Sequence, residues 1–228
     1  MILLKDAHEM RRTAIAKGRC DAWPPARGAP FALLAAVAVL TLSGCGAARP
    51  SKYYQLTVPG DQGTAQTGDP VPATLLLGPL MASHLYREDR IVYSMGGEQM
   101  GTYEYQRWAE PPTEMIEEVL LRQLRASGHY KAVYPHRSNA NGDLVLRGRL
   151  YDFKEVSGKS IVAKVTFDLE LRDLKSGATV WTHYYTHDEP VSGKDVPSVV
   201  AALDRNVQAG IREVLVSLEQ YFTAHPVK

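Results

Sequence analysis

The chain has 228 residues, a formal net charge of +1, 22% charged residues and two cysteines. A near-neutral balance without a basic run argues against nucleic acid as a partner, and no block of like charge marks an interaction tail. The longest uncharged apolar run, Phe31 to Leu42, is far shorter than the about 20 residues a bilayer-spanning helix needs, so nothing in the mature chain should cross a membrane as a helix.

The first 45 residues do not read like the start of a folded domain. Arg11, Arg12, Lys17, Arg19 and Arg27 precede the apolar run, and Leu42-Ser43-Gly44-Cys45 ends it, with small residues at the two positions before the cysteine. A basic region, a short apolar region and a small-residue cleavage site are the parts of a signal peptide. The spacing resembles the lipobox of bacterial lipoproteins. That resemblance implies that the Cys45 thiol carries a diacylglycerol, that residues 1–44 are removed, and that the new amino group is acylated as well. The basic region is long, which leaves Met1 and Met10 both open as the start.

Lipidation settles the cysteine arithmetic. Cys20 leaves with the signal peptide and Cys45 is blocked as a thioether, so the mature protein has no disulfide, thiol nucleophile or thiolate metal site. At roughly 0.8 kcal/mol per buried methylene one acyl chain binds only marginally, whereas several make an effectively permanent anchor. Gly46 follows the cysteine. In the sorting rule of enteric lipoproteins Asp at that position retains the protein in the inner membrane, so Gly46 points to the periplasmic face of the outer membrane. Without residues 1–44, 184 residues remain with a formal charge of −2, enough for one domain with a sizeable core.

Residues 45–72 read as a lipid-anchored tether, a short strand at Tyr53 to Leu56, and a loop from Pro59 to Pro72 rich in Gly, Pro, Thr, Gln and Asp. The domain proper is expected over 73–228. Strands are predicted at Ala73 to Leu77, Arg90 to Met95 and Gly101 to Tyr105, the last two joined by a turn at Gly96-Gly97. A helix should run from Pro111-Pro112-Thr113 to near Gly128, because proline is tolerated where the first-turn N–H groups lack partners. Its apolar face is Ile116, Val119, Leu120 and Leu124, with Glu114, Glu117, Glu118, Arg122 and Arg125 opposite.

The strongest β pattern follows. Ile161, Ala163, Val165, Phe167, Leu169 and Leu171 alternate with polar or charged residues and Val162, which puts one face in a core and the other in water. Asp143 to Val156 precedes this strand across Ser157-Gly-Lys159, and Thr179 to His187 follows across Lys175-Ser-Gly177, giving a three-stranded antiparallel meander. The last element is an amphipathic helix from Val196 to Phe222. Asp195 caps it, Pro197 sits in its first turn, and Val199, Val200, Leu203, Val207, Ile211, Val214, Leu215, Leu218 and Phe222 form its stripe. The predicted class is α+β, a mainly antiparallel sheet with two amphipathic helices packed on one face.

Catalytic patterns fail at required positions. Gly158-Lys159-Ser160 resembles the end of a phosphate-binding loop, but Phe153 stands where a glycine is needed and the segment lies between strands. His183 and His187 are four apart, which on a strand separates them by roughly 13 Å, so they read as polar residues on an open sheet face and no metal site is expected. Neither a Gly-x-Ser-x-Gly elbow nor His-Glu-x-x-His occurs. The protein is read as no enzyme, and as needing no cofactor beyond the covalent lipid on Cys45. Tyr103, Tyr105, Arg107 and Trp108 stand out just before the first helix. Trp108 staples the helix start to the sheet, or the four residues dock a partner, since Trp, Tyr and Arg dominate protein–protein hot spots.

Taken together, Tyr53-Tyr-Gln-Leu56, Leu75 to Pro79, Glu88-Asp-Arg-Ile-Val-Tyr93, Arg107-Trp-Ala-Glu110, the meander and the terminal helix resemble the auxiliary lipoproteins of ABC-type transport systems that accompany MCE-domain lipid-transport proteins. The likeness covers nearly all of the mature chain. Met81-Ala-Ser-His-Leu-Tyr86 lacks the proline common before the Asp-Arg element, which bears on the local loop path. The resemblance implies a periplasmic component anchored in the outer membrane that docks with an MCE protein tunnel carrying phospholipid between membranes, with a ring of identical subunits as one open assembly. A lipoprotein that assists outer-membrane assembly or carries lipid or lipopolysaccharide would share the same anchor and a similar domain, and an anchored periplasmic hydrolase is the enzymatic alternative. A carrier should enclose a cavity lined by side chains such as Phe167 and Trp181. A docking module should have a filled core.

Overall fold

The computed structural model describes residues 49–58 and 70–226. The signal peptide expected over 1–44, its Leu42, Ser43 and Gly44, the lipidation site Cys45 and most of the Pro59 to Pro72 loop lie outside the described residues.

In chain order the described elements are β1 (Lys52–Tyr54), β2 (Val71–Ala82), a 3-10 turn (His84–Tyr86), β3 (Arg90–Ser94), β4 (Met100–Trp108), α1 (Pro112–Ala126), β5 (Tyr130–Pro135), β6 (Leu144–Ser157), β7 (Ile161–Asp173), β8 (Thr179–Pro190) and α2 (Val196–Ala224). Period-two alternation builds the expected meander: β7 pairs antiparallel with β6 on one side and β8 on the other. The other edge of β6 is shared. Its first half pairs parallel with β2, from Leu75↔Leu144 to Ala82↔Leu150, and its last residues pair parallel with β3, from Val92↔Lys154 to Ser94↔Val156. β5 adds parallel to β2, β4 adds antiparallel to β3, and β1 adds parallel to β4. The architecture is α+β, and its sheet is mixed: antiparallel along the long meander, parallel at four shorter joins.

β1, β2 and β5 differ most from the sequence expectation. The short strand expected over Tyr53 to Leu56 runs from Lys52 to Tyr54 and pairs with β4, and Leu56 beyond it is buried in the core. β2 starts at Val71 and takes in Pro72, ahead of the boundary expected at residue 73. The third is β5, a strand over residues that the sequence pattern leaves unassigned. Its six residues end in proline and only Tyr130 and Val133 are buried, too little alternation to separate a strand from a loop.

Register carries Leu77, Leu146 and Leu171 into one row, and both helices pack on that face. Pro112 opens α1, and its buried residues include Met115 and Leu121 besides the four expected. Glu117 departs from the predicted solvent face. The register of β2 slips between Leu77 and Leu80, which takes the Leu80 N–H out of the ladder, and the Glu117 carboxylate accepts from it at 2.7 Å. A buried backbone donor needs such a partner.

α2 lies antiparallel to β8 across the meander. Asp195 caps it by accepting from the Ser198 N–H at 3.1 Å. Its stripe is buried as predicted except at Val200 and Leu215, which are half-buried. Asn206 interrupts the apolar stripe and is fully buried. The Phe167 and Tyr185 rings stack at 5.1 Å beneath Gly210, where an added Cβ would come within 2.8 Å of Tyr185. The helix therefore sits directly on the aromatic layer.

Candidate functional site

The four residues expected to dock a partner occupy unlike environments. Trp108 is 1% exposed and packs on Phe153 with ring centroids 5.2 Å apart, the position of a staple. Burial removes it from any surface role, because a residue packed inside the sheet offers no area to a partner. The Arg107 guanidinium donates to both carboxylate oxygens of Asp89, at 2.8 and 3.0 Å. The Tyr103 hydroxyl donates to the buried Glu155 at 2.7 Å, and Ser157 donates to the same carboxylate. Burial first, and then the Glu155 hydrogen bond, push the Tyr103 phenol well above its ordinary range. Tyr105 remains half-exposed, with the Arg49 guanidinium 5.6 Å from its ring centroid.

The distinctive sequence elements meet here. Asp89 holds Arg107 through its side chain and accepts from the Trp108 N–H through its carbonyl at 2.6 Å. Tyr54 lies opposite Trp108, donates its hydroxyl to Gln106 at 2.7 Å, and accepts from the Ala109 N–H at 2.7 Å. The Tyr-Tyr-Gln-Leu, Asp-Arg-Ile-Val-Tyr and Arg-Trp-Ala-Glu segments thus form one structural knot.

The residues weighed for catalysis do not converge. Lys159 lies exposed in the tight β6–β7 turn, where Gly158 N–H bonds to the Ser160 carbonyl at 3.1 Å, so no helix N-terminus follows to bind phosphate. The open face expected for His183 and His187 is not the one they occupy: the register places them on the opposite face, because Leu169 pairs with His183 and Val165 with His187. His183 stacks on Trp181 at 5.7 Å and meets Glu213 at 3.3 Å, while His187 meets Glu189 at 3.6 Å. Among the described residues no group of three or more His, Cys, Asp or Glu is arranged to hold a metal, and no helix is long and apolar enough to cross a membrane.

The surface that the sequence reading missed is the helix-free face of the sheet. Arg147 donates to Glu170 at 2.6 Å, and Thr179 donates to the same carboxylate at 3.1 Å. The Arg147 bond chiefly holds the Glu170 carboxyl below its ordinary range. Tyr151 donates to Asp168 at 2.8 Å beneath the Arg149 guanidinium, 5.7 Å from the ring centroid. Beside these paired charges Met81, Tyr184 and Leu174 are exposed, and a shallow groove of about 890 Å³ runs past Met81, Arg149, Tyr151 and Leu174. The face holds Glu170 and Asp168 already hydrogen-bonded to Arg147, Thr179 and Tyr151. It offers aromatic rings, arginines and apolar tips, the residue types that carry protein contacts. Alternation marks β7 as two-faced, but only the register shows that Met81 and Tyr184 emerge on its polar side.

Residues 54–214 match the family model described as the ABC-type transport auxiliary lipoprotein component. A crystal structure of a Xanthomonas campestris protein, itself assigned to a family model of unknown function, superposes with a TM-score of 0.64 at 22% identity, covering 74% of this chain and 98% of that one. A second crystal structure, of an uncharacterised protein, gives 0.58 at 13% identity over 73% of this chain and 97% of the other. At these identities the likeness is one of fold. No curated protein matches the chain.

Proposed function

The chain belongs to the ABC-type transport auxiliary lipoprotein family, and from that membership we propose that it is a non-catalytic docking component of an MCE-type phospholipid transport system, anchored through Cys45 to the periplasmic face of the outer membrane. The observation that carries the docking reading is the filled core. Phe167 and Trp181, the side chains that would line a lipid cavity, are 2% and 9% exposed beneath α2. Phe167 is stacked on Tyr185, and the Trp181 indole donates to Ser217 at 3.1 Å. An acyl chain would have to displace close-packed side chains, and interiors packed to crystal density tolerate no such insertion without large cost. Binding energy then has to come from the surface.

The helix-free face supplies that surface, with Tyr184, Tyr151, Arg149 and Met81 as its contact residues. From the cluster expected to dock, Tyr105 keeps accessible area and can extend the contact. Gly46 and the Leu42-Ser43-Gly44-Cys45 spacing support the location. Mass spectrometry of lipid extracted from the purified soluble domain tests the docking reading against a carrier. Less than one phospholipid per ten chains is expected, and one per chain would show a carrier.

A further inference from the structure

The described chain begins at Arg49, and β1 fixes where that is. Lys52 pairs with Gln106, and the Arg49 guanidinium lies 5.6 Å from the Tyr105 ring. β1 runs parallel to β4, so the chain upstream of Lys52 enters from the end of the sheet where β4 begins. Four residues from Arg49 to Cys45 span at most about 14 Å. The sheet along β7, at 13 residues, is roughly 40 Å long at ~3.3 Å per residue. A lipid on Cys45 therefore tethers the chain at this end of the sheet and not at the opposite one.

What the near end exposes fits that placement. The β3–β4 hairpin turns through Gly96 and Gly97, whose φ angles of 89° and 75° leave Met95 at its tip, 79% exposed, with Met100 beside it. The tip lies against the β6–β7 turn, since a Cβ on Gly96 would meet the Ser157 carbonyl at 4.0 Å. The Val191 N–H bonds to the Ile161 carbonyl at 3.1 Å and draws in the segment before α2. Lys159 and Lys194 are exposed on these two loops. Glu98 and Glu104 are the exposed acids of the hairpin, and the Asp195 carboxylate is committed to the helix cap.

We infer that this end of the sheet, with Met95 at its tip and Lys159 and Lys194 beside it, rests on the surface of the bilayer that holds the anchor, the methionine entering the headgroup layer and the lysines facing lipid phosphates. Apolar tips flanked by cations are the residue types that bind membrane interfaces, and a tether of four residues keeps them within reach of one. The inference rests on lipidation of Cys45. It also leaves the turn at Lys175 pointing away from that membrane.

The test uses lipidated full-length protein, processed in cells, purified and reconstituted in vesicles of phosphatidylethanolamine and phosphatidylglycerol. Two variants, M95C and K175C, each carry one polarity-sensitive fluorophore, because acylation leaves the Cys45 thiol unavailable for labelling. The Met95 probe should shift to shorter wavelength and be quenched by headgroup-nitroxide lipid at least fivefold more than the Lys175 probe. Vesicle-bound protein whose two probes are quenched alike overturns the inference and leaves the anchor intact. Protein that shows no lipid on Cys45 by mass spectrometry and does not float with vesicles overturns the anchor reading and this inference with it.

Discussion

Asp89 and Arg107 join the two most distinctive segments of the sequence: one guanidinium nitrogen bridges both carboxylate oxygens, at 2.8 and 3.0 Å, between a residue just before β3 and one near the end of β4. The pair sets the path of the chain into α1, because the Asp89 carbonyl also receives the Trp108 N–H. Its side chains are 39% and 26% exposed, so water screens much of the attraction. Arg107→Ala should cost no more than about 1 kcal/mol of stability, with partner binding nearly unchanged. A double-mutant cycle with Asp89→Ala, read by urea denaturation, measures the coupling.

Trp108 should behave in the opposite way. Buried against Phe153, it is expected to cost about 3–5 kcal/mol on change to alanine. Its indole N–H makes no hydrogen bond among the described residues, so Trp108→Phe loses ring area and no bond and should cost clearly less. Thermal melts of both variants check the order. Equal melting temperatures for Trp108→Ala and the parent would place the ring outside the core.

Asn206 is the polar pin between α2 and the meander. Its amide donates to the Ala163 and His187 carbonyls at 2.8 and 2.9 Å, and its oxygen accepts from the Tyr185 hydroxyl at 2.7 Å. Burial holds the Tyr185 phenol up at about 12, so the hydroxyl stays a donor at physiological pH. Asn206→Ala takes the amide from the Ala163 and His187 carbonyls but leaves the Tyr185 hydroxyl its bond to the residue 206 carbonyl at 3.2 Å, and should cost on the order of 2–4 kcal/mol, while Tyr185→Phe leaves only the Asn206 oxygen without its donor and should cost about 1–2. Denaturation midpoints of the two variants give the comparison.

Glu117 gives a pH dependence of definite sign. Desolvation raises its carboxyl above 4.5, against the lowering effects of the Leu80 N–H and Arg137. A folded value above the unfolded one means that the favourable contribution is complete below about 4.5 and is lost as pH rises through the folded value. Glu117→Gln keeps an acceptor for Leu80 without the buried charge. Its melting temperature relative to the parent should therefore rise between pH 4 and pH 7. A relative stability that falls over that interval would show that the carboxylate is favoured by the fold.

Much of the fold was legible because burial repeats at regular periods. The alternation from Ile161 to Leu171 and the stripe from Val199 to Phe222 both fix which atoms face the core, and Asp195 and the glycine turns mark the ends. Features that depend on register were not legible. Local sequence does not say which side of β8 faces α2, so it singles out neither His183 and His187 for the helix-covered face nor Tyr184 for the open one. Glu117 read as solvent-facing because its partner, the Leu80 N–H, is freed only by an irregularity in β2. Trp108 illustrates the same limit: the composition of an aromatic and arginine cluster suits a hot spot or a staple, and burial alone separates the two.

The central claim is that this chain works by docking onto an MCE-type transport system, and recovery of its partners from membranes tests it most directly. The lipidated protein is purified from detergent-solubilised envelopes after brief crosslinking, beside Cys45→Ala and a Tyr184→Ala/Arg149→Ala variant, and the co-purifying proteins are identified and quantified. The account predicts MCE-domain and ABC components with the parent protein, strongly depleted from the surface variant at unchanged melting temperature, consistent with loss of a hot spot worth ~2 kcal/mol or more, and absent from Cys45→Ala. Recovery of outer-membrane assembly or lipopolysaccharide-transport proteins in their place, with no MCE-domain protein in any sample, would contradict it.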